Sequence, residues 1–174
     1  MKVDLPSLII GICALATFAV PIAWYQISEK MKEQKLHNEI IRYARHENLA
    51  LTNEEVWGDH YALGIDNNSR KIIYLKHSED GDQKEIIDLS KVQKCKVSNS
   101  TKTVHDADGK KNVLTSIDLL FHFRNSGKGA LSLEVYNDSN GRSLTYELSI
   151  ANKLARKIRP LIDTNTNSYK LTNY

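Results

Sequence analysis

The sequence predicts an α+β fold: an N-terminal transmembrane helix and helical stalk, then an antiparallel β-sheet or partly open barrel capped by a C-terminal amphipathic helix. Three observations predict it. Leu5 to Ser28 is an uncharged run. After Gly58 the apolar residues alternate with period two, and from Leu148 to Ile162 they return to helical spacing. The expected division is an anchor over 1–28, a stalk and linker over 29–57, a β domain with its C-terminal helix over 58–163, and a flexible tail over 164–174.

The uncharged run would form roughly 36 Å of helix at 1.5 Å per residue, against a hydrocarbon core of about 30 Å. Trp24 and Tyr25 close it, where an aromatic belt would meet the headgroups. Pro21 lies inside, as membrane helices tolerate. Lys2 precedes the run, whereas Lys30, Lys32, Lys35, Arg42 and Arg45 follow it. The positive-inside rule then places the N-terminus outside and the domain in the cytoplasm, as a single-pass protein of the inner (plasma) membrane. A cleaved signal peptide is the rival, with Ala14-Leu15-Ala16 resembling a processing site, but the apolar run continues past it.

Ser28 to Leu51 reads as helix without Gly or Pro, with Leu36, Ile40, Ile41, Tyr43 and Ala44 sharing a face. A coiled-coil heptad fails at Gln34 and Asn38. The stalk is therefore read as a solvated helix whose C-terminal half packs on the domain, homo-oligomerisation through it being the alternative. Asn48 ends it, and Thr52-Asn53-Glu54-Glu55 has the spacing of a capping box, which predicts a short helical turn.

In the domain, Tyr61 to Leu75 reads as a hairpin turned at Asp66-Asn67-Asn68-Ser69. Glu85 to Leu89 and Lys91 to Thr103 are further strand candidates. Ile117 to Arg124 alternates most clearly, and Leu131 to Val135 follows it. Leu148, Ala151, Leu154, Ala155, Ile158, Leu161 and Ile162 form the helical stripe, with Pro160 near its end.

The first hairpin, the Ile117–Val135 strand pair and the final helix together resemble a pleckstrin-homology-like barrel. The layout is also similar to uncharacterised membrane-anchored bacterial proteins with an anchor, a stalk and a small β domain. The pleckstrin-homology resemblance implies phosphoinositide binding at the first hairpin, but only Arg70 and Lys71 stand there, beside Asp66.

The formal charge of +3 argues against a nucleic-acid binder. Cys13 and Cys95 are not placed to pair, which fits a reducing compartment. No two of the six histidines have helical metal-site spacing. Tyr136 to Glu147 matches a calcium loop in part but has Tyr136 where Asp is required, and Asp106-Ala107-Asp108-Gly109 reads as a turn. Cys95 alternates onto the face of Val97, which predicts a buried thiol. No phosphate loop, nucleophile elbow or catalytic carboxylate pair is found. No catalytic residue, metal or cofactor is expected.

The basic helix face of Lys153, Arg156, Lys157 and Arg159, with Arg70 and Lys71, is the predicted lipid- or partner-facing set. An ordinary solvated face is the other reading. The sequence thus points to a non-enzymatic, membrane-tethered interaction or scaffold module that meets the bilayer and a protein partner. The alternative is an envelope ligand-binding protein or enzyme with a pocket between sheet and C-terminal helix.

Overall fold

The structure, a computed structural model, describes residues 5–78, 81–106, 109–124, 129–140, 144 and 146–168; side chains are described from residue 17 onward, with gaps. A helix, α1 (Leu5–His46), leads into β1 (Asn53–Trp57), β2 (Tyr61–Asp66), β3 (Lys71–Lys76) and β4 (Gln83–Asp88). A short 3-10 turn precedes β5 (Val92–Asp106), β6 (Gly109–Phe123) and β7 (Leu131–Asn137); α2 (Glu147–Ser168) follows. All pairings are antiparallel, in two sheets of order β1-β2-β3-β4 and β5-β6-β7.

Three expectations are corrected. Among the described residues no helix is long and apolar enough to cross a membrane. Beyond Ser28, α1 carries Lys30, Lys32, Glu33 and Lys35, and its buried side chains Leu36, Ile40 and Ala44 pack on protein. The 1–28 span, the single-pass topology and the cytoplasmic placement drawn from it are withdrawn on that finding; the side chains of residues 1–16 lie outside those described. Second, anchor and stalk do not form separate elements, because the helix runs unbroken through Ser28. Third, the strands do not form a partly open pleckstrin-homology-like barrel. No ladder joins β4 to β5 or β1 to β7 among the described residues, so the two sheets stay separate.

The first sheet is a middle layer. Tyr61, Leu63, Ile65, Ile72 and Tyr74 enter the main core, shared with the second sheet and α2. Ala62, Ile73 and Leu75 face the other way and pack with Leu36, Ile40, Ala44 and Leu49 in a second core. Strand alternation therefore shows apolar residues on both faces, as expected where both faces are covered. The linker crosses so closely that a Cβ added to Gly64 would lie 2.7 Å from Leu51 Cδ1. Asn48 ends α1 in the left-handed region (φ 55°), which Asn tolerates. Its N–H donates to the Arg45 carbonyl (3.1 Å), and Leu49 N–H donates to the Ala44 carbonyl (2.8 Å), a paired C-terminal cap.

The expected capping box at Thr52 is instead the entry to β1. Thr52 N–H donates to the Ile65 carbonyl and its hydroxyl accepts from Asn67 N–H, so both groups serve the sheet. The buried Asp66 sets the β2–β3 turn. One carboxylate oxygen accepts from Asn68 and Ser69 N–H, the other from Ala50 N–H. Burial opposes its charge, but these donors hold its pKa below the ordinary value.

The sheets meet at β7. Ile117 pairs with Tyr136 and Asp118 with Glu134, which leaves Val135 opposite no residue of β6. The Val135 carbonyl accepts instead from Trp57 Nε1 (2.9 Å), and the Glu134 carbonyl accepts from the Tyr74 hydroxyl (2.7 Å). Trp57 stacks on Tyr61, centroids 5.5 Å apart. α2 closes the main core with Ile150, Ala151, Leu154, Ala155, Ile158 and Ile162. Leu148, expected in this stripe, is exposed, and the helix continues past Pro160 to Ser168.

Two stability outcomes follow. Ile40→Ala is expected to cost about 2–4 kcal/mol in urea unfolding, while the exposed Leu148→Ala costs under about 0.5 kcal/mol. Trp57→Phe keeps most of the ring but strands the Val135 carbonyl, and is expected to cost about 1–3 kcal/mol; an unchanged urea midpoint would show that this bond does not join the sheets.

Candidate interaction surface

The sequence-predicted cations are mostly spent within the fold. Lys153 Nζ contacts the Glu55 carboxylate at 2.7 Å, and Lys157 Nζ donates to Asn53 Oδ1 at 3.1 Å, tying α2 to β1. Arg159 Nε donates to the Cys95 carbonyl at 3.4 Å, tying α2 to β5. Arg156 is exposed. Arg70 closes the β2–β3 turn at φ 53°, and its carbonyl accepts from Leu89 N–H. Lys71 is paired in the ladders with Asp66 on one side and Asp88 on the other. These residues do not converge on one site. The phosphoinositide site implied by the resemblance lacks the clustered donors that a phosphate needs.

Two polar clusters that the sequence reading missed hold the layers in place. Glu134, on β7, accepts from the Tyr61 hydroxyl (2.6 Å) and Asn137 Nδ2 (3.0 Å), and pairs with Lys76 Nζ (2.8 Å). Burial opposes its charge, but the donors from Asn137, Lys76 and Tyr61 outweigh it and keep the carboxyl below its ordinary pKa. The cluster is fully paired and structural in character.

The second cluster clasps α1 to the β3–β4 loop. His77 Nδ1 lies 2.6 Å from Asp82 Oδ1, and Nε2 lies 3.1 Å from Glu39 Oε2. Lys84 Nζ donates to the other Glu39 oxygen at 2.9 Å and sits 5.6 Å from the Tyr43 ring centroid. A ring with a carboxylate at each nitrogen is satisfied when both nitrogens are protonated. The three donor atoms lie within 4.8 Å of one another. A metal would need one ring nitrogen and both carboxylates aimed at a single point about 2.0–2.2 Å away. Here the carboxylates sit at opposite nitrogens and an ammonium holds Glu39, so the trio fits an imidazolium.

Two cavities among the described residues bear on the pocket reading. One of about 180 Å³ lies between β5 and α2, lined by Gln93, Lys94, Cys95, Arg159 and Ile162. Ligand sites usually span about 300–1,000 Å³ with convergent polar groups. Burial, opposed by Arg159, pushes the Cys95 thiol up to about 11, so it is a poor nucleophile. A second, of about 410 Å³, lies between α1 and the linker, lined by Ile41, Ala44, Leu49 and Leu51 with Arg45 and Glu54 at its rim. Its walls are largely aliphatic, without a polar constellation for catalysis.

The long hairpin of β5 and β6 offers the surface. Residues directly opposite in an antiparallel pair share a face. On the face turned from the core the pairs run Lys94–His122, Lys96–Leu120, Ser98–Asp118 and Ser100–Ser116. Past a bulge they continue as Lys102–Val113 and Val104–Lys111. Lys94, Lys96, Lys102 and Lys111 are exposed, and Val104 and Val113 are 42% and 43% exposed. An acid on this face, Asp118, accepts from the Ser116 and Ser132 hydroxyls. The opposite face of the projecting part is polar and bonded within itself, Thr103 Oγ1 donating to Asn112 Oδ1 at 2.9 Å. The sequence hint was the run of lysines at alternate positions, Lys94, Lys96 and Lys102.

No family model, curated protein or solved structure matches this chain.

The clasp predicts a pH window. His77 is held above its ordinary pKa of 6.5 by the Asp82 bond, against burial and with help from Glu39. Its contribution is full below about 6.5 and is lost as pH rises through the raised value. Glu39, lowered from 4.5 because Lys84 and His77 outweigh burial, contributes above 4.5 and loses this as pH falls through its depressed value. His77→Gln is expected to cost about 1 kcal/mol near pH 6 and little near pH 9, read from urea unfolding at each pH. An equal cost at both would refute the charged clasp.

Proposed function

We propose that this protein is a non-enzymatic interaction module that docks a protein partner on its β5–β6 hairpin. One observation carries the reading. β6 pairs with β7 only from Ser116 to Phe121, so Thr101–Asp106 and Gly109–Leu114 project as a two-stranded ribbon. At about 3.4 Å per residue the ribbon reaches roughly 20 Å beyond the three-stranded part. Thr101 to His105 and Lys110 to Val113 are exposed. A two-stranded ribbon alone is marginally stable in water. A partner strand or surface would supply the burial that the ribbon lacks, as in other recognition by exposed sheet edges.

The test is crosslinking in cells followed by mass spectrometry, comparing the full chain with a variant in which 102–113 is replaced by Asn-Gly, a turn suited to short hairpins, between the paired Thr101 and Leu114. The wild type is expected to give reproducible crosslinks to a partner from Lys102, Lys110 and Lys111. The shortened chain is expected to lose that partner while keeping its melting temperature within a few degrees, because the removed rungs bury little. Undiminished capture of the same partner by the shortened chain would sink the reading.

A further inference from the structure

The basic, valine-studded face of the β5–β6 hairpin has no assigned partner, and its chemistry restricts what can cover it. The geometry points to an acidic protein segment, bearing aliphatic side chains between its carboxylates, as the occupant of this face. The inference rests on the docking role of the hairpin and names the partner's chemistry.

Three exposed ammonium groups line the face, Lys94 and Lys96 over the three-stranded part and Lys102 on the ribbon; Lys111, also on the ribbon, already makes a contact within the protein. From Lys94 to Val104 the stripe is about 34 Å long. Facing it from the same sheet are Asp118, already accepting from two serine hydroxyls, and His122; beside Asp118 on β7 stands Glu134, committed to Lys76 and Tyr61. Positive charge therefore dominates the described side chains of the stripe, and it attracts carboxylates. On the ribbon the two valines and two lysines form a checkerboard, with Lys102 opposite Val113 and Val104 opposite Lys111. Lysine alone would suit any polyanion, but half-exposed valines gain only from an apolar counterpart. The face carries no arginine and no Phe, Tyr or Trp on which a base could stack, His122 being its one ring among the described residues, which disfavours nucleic acid. The opposite face, with Thr101, Thr103, Asn112, His105 and Lys110, offers no such apolar pair beyond Leu114, which packs inward.

The experiment titrates isotopically labelled full-length protein with the peptide Glu-Ser-Val-Ser-Glu-Ser-Val, whose extended form puts carboxylates and valines on one side. Chemical-shift changes are expected at Lys102, Val104, Lys111 and Val113, with affinity falling severalfold as salt rises from low to physiological. The double variant Lys96→Glu, Lys102→Glu is expected to weaken binding about tenfold or more at an unchanged melting temperature. The same peptide with Lys in place of Glu is expected to leave the face unperturbed. Stronger binding of oligothymidylate, or of phosphatidylserine-containing vesicles, than of the acidic peptide would overturn the inference. So would peptide shifts outside the stripe, or no shifts at all. The two readings separate cleanly: if shortening the hairpin abolishes the cellular crosslinks but reversing the lysines does not, docking stands and the acidic partner falls.

Discussion

The fold depends on how one unpaired backbone carbonyl is satisfied. The register slip between β6 and β7 leaves Val135 without a β6 neighbour, buried in the main core. A buried carbonyl without a donor is costly, and Trp57 supplies the donor from the other sheet. Tyr74 does the same for the adjacent Glu134 carbonyl. Two sheets that share no ladder are thereby fixed in relative position by side-chain donors. The charged cluster at Glu134 sits on the same stretch of β7, so direction and charge are set at one seam.

Around that seam the layers follow from burial. The first sheet hides both faces, one under α1 and one in the shared core. The α2 cations at 153, 157 and 159 are drawn inward to β1 and β5, which leaves the β5–β6 hairpin as the long basic feature with an exposed apolar component.

Local periodicity made several elements legible. The Tyr61–Leu75 hairpin, the alternation at Ile117 to Phe123 and the stripe of α2 from Ala151 onward lie where the sequence places them. What failed was context. Thr52 to Glu55 has capping-box spacing, yet pairing with β2 draws it into a strand, a tertiary choice that no window of four residues contains. The early rungs of β6, Lys110 to Val113, do not alternate cleanly because neither face is buried, so the strand was foreseen only from Ile117. The apolar run at the N-terminus reads as a membrane span, yet among the described residues no helix is long and apolar enough to cross one, and α1 packs on protein only further along, at Leu36, Ile40 and Ala44. For the surface, helical spacing puts Lys153, Lys157 and Arg159 off the apolar stripe without revealing Glu55, Asn53 and the Cys95 carbonyl that they meet. The Glu39–His77 contact spans 38 positions and leaves no local trace.

The position of α2 in the chain has a consequence for biosynthesis. Every strand is made before it, yet Leu154, Ala155 and Ile158 are needed to seal the main core. α1 and both sheets can come together before α2 is made, but the main core stays unsealed until then. A nascent chain halted before residue 147 would therefore leave open the side of that core which Leu154, Ala155 and Ile158 cover, and this is the stage at which chaperones have most to hold.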